Sequence, residues 1–65
     1  MQIKEVLKKN TLLEHPKPGK VMEVEKIHAK DAAMYYKNLV KDVRPDISLE
    51  DSLWGFVQLF NADIA

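Results

Sequence analysis

The sequence predicts an α+β fold, mainly helical, in which a short N-terminal helix and a small β-hairpin precede a pair of packed helices. Three observations carry this expectation. From Ala29 onward the apolar residues recur at helical spacing, but Val24 and Ile27 fall off that face, so the period changes near His28. A cluster of prolines and glycine at 16–19 separates two short segments that suit strands. Arg44-Pro45 divides the C-terminal part into two apolar-faced segments, because the residue before proline disfavours helical geometry. The alternative is an all-α arrangement of three helices with one long helix from residue 20, since the Glu and Lys content of 21–27 also tolerates helix.

Residues 2–9 predict the first helix. Ile3, Val6 and Leu7 share a face, and Lys8 and Lys9 suit the negative pole of the helix dipole. Asn10 is a natural terminator, because asparagine tolerates left-handed backbone. Thr11–Glu14 reads as a short strand and His15–Lys20 as a loop, with His15 facing solvent. Val21, Val24 and Ile27 favour a second strand over 21–27. His28 stands three residues before Asp31, a weak echo of a capping box.

The next helix is expected over 29–43, with Ala29, Ala32, Tyr36, Leu39, Val40 and Val43 on its buried face. The last helix is expected from about 49 to 61. Ser48 and Asp51 form its N-terminal cap, and Leu49, Leu53, Phe56, Val57 and Phe60 share one face. Residues 61–65 are expected to fray.

Sixty-five residues suffice for one domain, and a chain this short buries only about 60% of its unfolded surface. With no cysteine there is neither a disulfide nor a thiolate metal site to add stability, so homo-oligomerisation is expected. A hydrophobic content of 46% with 31% charged residues is globular rather than disordered. No apolar run is long enough to cross a bilayer, and the first residues lack a signal-peptide core, which predicts a cytoplasmic protein without a membrane partner. The net charge is zero but uneven. Residues 1–44 carry ten basic and six acidic side chains, 10 − 6 = +4, and residues 45–65 carry four acids and no base, −4.

Catalytic chemistry finds no support in the motifs. There is no Gly-rich phosphate loop and no nucleophile elbow, and Ser48 and Ser52 fall where serine caps a helix. Glu25 and His28 have E-x-x-H spacing, but the remaining ligands of a di-metal site are missing, so no metal or other cofactor is expected. Nucleic-acid binding would have to use the basic N-terminal half, through Lys4, Lys8, Lys9, Lys17 and Lys20, since the last helix opens with Glu50 and Asp51 and holds no basic residue. That interaction is expected to be weak.

The expected function is therefore that of a small non-enzymatic regulator or inhibitor, oligomeric, binding a protein partner through its apolar C-terminal helix. Trp54 and Leu59 flank the apolar stripe, and Trp54 is the expected anchor. Gly55 lies off the stripe, where it would admit the close approach of another backbone. Met34 and Tyr35 lie off the buried face of the preceding helix and complete the expected contact surface.

Overall fold

A computed structural model describes residues 2–17 and 23–64 of the chain. Its elements run α1 (Ile3–Lys9), β1 (Leu12–Pro16), β2 (Val24–His28), α2 (Ala29–Leu39), α3 (Leu49–Phe60) and β3 (Asp63–Ile64). The fold is α+β and mainly helical, with an antiparallel sheet of strand order β2-β1-β3. The all-α alternative is excluded, since residues 24–28 are a strand.

Asn10 ends α1 as its side chain predicts. It adopts left-handed backbone at φ 51°, ψ 47°, and the N–H groups of Asn10 and Thr11 donate to the Leu7 and Val6 carbonyls. The same residue starts a second helix. The Asn10 side-chain oxygen accepts the backbone N–H of Lys30 at 2.9 Å, capping α2 from twenty residues away. His28, at the N-cap position, makes no side-chain cap bond, so the capping echo in the sequence has no counterpart. The backbone N–H of Ala29 donates to the Thr11 carbonyl at 2.8 Å, so the hairpin ladder runs straight into the first turn of α2.

The hairpin is longer on its first side than expected. β1 includes His15 and Pro16, and its register pairs Leu13 with Ile27, His15 with Glu25, and Pro16 with Val24. Proline is tolerated there because β3 reaches only Leu13 and Glu14, which leaves β1 a free edge at Pro16. The second strand begins at Val24, and the ladder extends one step further where the Lys17 N–H meets the Glu23 carbonyl at 2.9 Å. The expected start of that strand at Val21, and the turn at Pro18-Gly19-Lys20, lie outside the described residues.

α2 stops at Leu39 instead of reaching Val43. The chain then tightens, the Val43 and Arg44 N–H groups both donating to the Val40 carbonyl, and Leu39 and Val43 are exposed rather than in the core. Ile47 closes that end of the core in their place, being 3% exposed. Lys37 secures the loop by donating from Nζ to the Ile47 carbonyl at 3.1 Å.

Ser48 caps α3, its Oγ accepting the Asp51 N–H at 3.1 Å, and the fully buried Ser52 hydroxyl donates to the Ser48 carbonyl at 2.8 Å. Asn61 closes α3 in left-handed geometry, as Asn10 closes α1. Residues 62–64 are not frayed, and Ala65 lies outside the described residues. Ala62 is buried, and Asp63–Ile64 pairs with Glu14 and Leu13 as the third strand.

The core lies between one face of the sheet and the helices. Leu13, Leu53, Phe56 and the alanines Ala29, Ala32 and Ala33 are at its centre, with Val6 and Ala62 at its margin. The three alanines let α2 come close to its neighbours, and half-buried Tyr36 extends that contact to α3. Leu49, placed on the buried stripe by its spacing, is 43% exposed, because the core ends a turn further along α3.

Candidate functional site

β1 alternates Leu13 and His15 on its helix-facing side, and the antiparallel register sets Ile27 and Glu25 beside them. α3 brings Phe56 and Phe60, one turn apart, to the same place, and α2 adds Tyr35. Together His15, Glu25, Ile27, Tyr35, Phe56 and Phe60 line a groove of about 180 Å³.

Phe56 and Phe60 are tilted by 37° to each other, and the His15 and Tyr35 rings meet them at 65–88°. Phe56 and Phe60 lie 4.7 Å apart between centroids. The His15 imidazole stands edge-on to them at 5.4 and 5.8 Å, and Tyr35 does so at 6.1 and 5.7 Å. The two phenylalanines are thus flanked by His15 and by Tyr35.

His15 was expected in a solvent-facing loop; it is instead a strand residue whose side chain is only 11% exposed. Its Nε2 lies 3.8 Å from the Glu25 carboxylate, which is half exposed. Its Nδ1 is buried without a hydrogen-bond partner. Either tautomer leaves that atom unsatisfied, as an N–H without an acceptor or as a lone pair without a donor. Such groups cost about 1–3 kcal/mol, which an apolar side chain at this position would avoid. The imidazole is therefore the feature that core packing explains least.

Glu25 and His28 do not form a metal motif. Both lie on β2, three residues apart, so they project from opposite faces of the sheet. Among the described residues no group of three or more His, Asp or Glu side chains is placed to hold a metal ion.

The residues expected to bind a partner do not converge on one spot. Tyr35 lines the aromatic groove. Trp54, 47% exposed, lines a separate concavity of about 240 Å³ with Ile3, Val57 and Ile64 among others. Gly55 is closely approached, but by the Tyr36 side chain of the same chain rather than by another backbone. Met34 and Leu59 are exposed, at 56% and 55%, and line neither concavity. The sequence reading missed His15, Glu25 and the grouping of Phe56 with Phe60 around them. The signal was the Leu13-x-His15 alternation, obscured by the proline that follows it.

The sequence matches no protein-family model, and no curated protein and no solved structure matches it. Among the described residues no helix is long and apolar enough to cross a membrane.

Proposed function

We propose that this protein is a non-enzymatic, cytoplasmic protein-binding module, a regulator or inhibitor that also self-associates, with its contact surface on the α2–α3 pair. One observation carries the reading. Among the described residues, the large hydrophobic side chains left exposed all lie, except Val24, on α2, on α3 or in the turn between them, at 43–84% exposure. A surface that concentrates Met, Tyr, Leu and Trp on one structural unit has the composition of a contact face.

The opposite charge class is a poorer fit. α3 holds no basic residue, and several lysines elsewhere are engaged by acids, Lys9 with Glu5 and Lys17 with Glu23 at 3.7 Å and Lys26 with Glu14 at 3.8 Å. A nucleic-acid footprint needs a clustered basic face with free cations.

The test is capture from the source cell by the immobilised protein, with two test variants and one control. Leu59→Glu and Met34→Glu change exposed positions on the proposed face, and Lys8→Glu changes an exposed position on α1. Specific protein capture and self-association lost in the first two and kept in the third is the expected result. Retention in all three would place the contact surface elsewhere, and recovery of nucleic acid alone would overturn the reading.

A further inference from the structure

The aromatic groove has a charge and a size that narrow its occupant. Its lining carries one carboxylate, Glu25, among Ile27, Tyr35, Phe56, Phe60 and the His15 ring. At about 180 Å³ it is smaller than the roughly 300–1,000 Å³ of sites for drug-sized ligands. It suits a single side chain rather than a small-molecule cofactor.

We infer that this groove receives one basic side chain, lysine or arginine, presented by the protein partner. The inference rests on the protein-binding reading above and names the chemistry of one contact in it. A neutral occupant would strip water from the Glu25 carboxylate and leave it facing an imidazole 3.8 Å away as its nearest counter-charge. An acidic occupant would be repelled. A basic one satisfies the carboxylate with its head group, while its methylene stem lies against Ile27 and the phenylalanine rings. The aromatic side chains add attraction for the cation through their π faces.

Among the described residues, the lysine next to Glu25 in sequence does not fill this role. Lys26, next to Glu25 on β2, points to the opposite face of the sheet and pairs there with Glu14 at 3.8 Å. Among the described residues, His15 is the side chain recorded beside the Glu25 carboxylate, at 3.8 Å.

The experiment is a nitrogen–proton correlation titration of the full chain at about neutral pH. The probes are four blocked tripeptides, Gly-X-Gly with X lysine, arginine, norleucine or glutamate. The lysine and arginine peptides are expected to shift the amides of His15, Glu25, Ile27, Tyr35 and Phe60, binding roughly five- to tenfold tighter than norleucine. Glu25→Gln, at a half-exposed position, is expected to keep the parental spectrum and to reduce lysine-peptide affinity to that of norleucine. Equal binding of lysine and norleucine overturns the cation assignment and leaves an apolar dock, consistent with protein binding. Unchanged affinity in Glu25→Gln, or shifts confined to Trp54, Ile3 and Ile64, overturns it as well. If no peptide shifts the groove while partner capture persists, the assignment fails and the protein-binding reading stands.

Discussion

The ring of Tyr36 occupies the space that a Cβ on Gly55 would need, so α2 and α3 meet side chain on backbone. A glycine inside an exposed helix costs about 1 kcal/mol relative to alanine. Here the absent side chain makes the contact between the two helices.

Gly55→Ala should accordingly destabilise the protein despite alanine's better helix propensity. The added methyl forces out the half-buried Tyr36 ring, which can swing toward solvent at the cost of its packing. The loss exceeds the propensity gain by about 1 kcal/mol, or several degrees in melting temperature for a chain this short. Thermal melts of Gly55→Ala, Tyr36→Ala and the double variant decide it. The double variant should be more stable than the sum of the singles implies, and strict additivity would mean that the ring and the glycine are not coupled.

Asn10 ends one helix and begins another, and two substitutions separate those roles. Asn10→Gly keeps the left-handed backbone at φ 51° and removes the bond to the Lys30 N–H, so it should cost about 1 kcal/mol. Asn10→Ala loses the bond and strains the backbone too, and should cost about 2 kcal/mol. Equal melting temperatures for the two variants would show that the left-handed turn contributes nothing.

What the sequence made legible was local. The Ser48 cap, the left-handed stop at Asn10 and the change of period at His28 act through neighbours a few residues away, and each did what its chemistry predicts; the Asn10 bond to Lys30, twenty residues on, was not legible. The errors are tertiary. Leu39, Val43 and Leu49 have the spacing of core residues, but the fold leaves them exposed and buries Ile47 in the loop between them instead. His15 and Pro16 resemble a loop because strand pairing with Val24–His28 cannot be seen in the local sequence. The aromatic groove was hidden for the same reason, since it joins β1, β2, α2 and α3.

His15→Leu should raise the melting temperature. Leucine fills the place beside Phe56 and Phe60 without a buried Nδ1 that lacks a partner. The gain is expected at about 1 kcal/mol, several degrees for a chain this size. A lower melting temperature would mean that the edge-on imidazole contacts with the two phenylalanines outweigh the unsatisfied nitrogen.

The buried centre of α3 and the exposed residues at the facing ends of α2 and α3 should separate stability from association. Leu53 and Phe56 are 0% and 2% exposed at the centre of the core. Truncating either to alanine costs about 2–5 kcal/mol. The whole stability of a 65-residue chain is of the order of 3–10 kcal/mol, so both variants should be largely or wholly unfolded. Leu49→Ala and Leu39→Ala remove side chains that are 43% and 56% exposed, and each should cost less than about 1 kcal/mol. If these two residues belong to the self-association surface, their variants should melt within a few degrees of the parent at low concentration and yet lose subunit mass. Light scattering coupled to size exclusion, run from low to high micromolar beside the melts, provides both readings. The concentration series is needed because a subunit contact stabilises the fold in proportion to its occupancy. Unchanged subunit mass with either alanine would remove that end of the helix pair from the contact surface. A parent that remains at 7.5 kDa across the whole range would end the case for self-association.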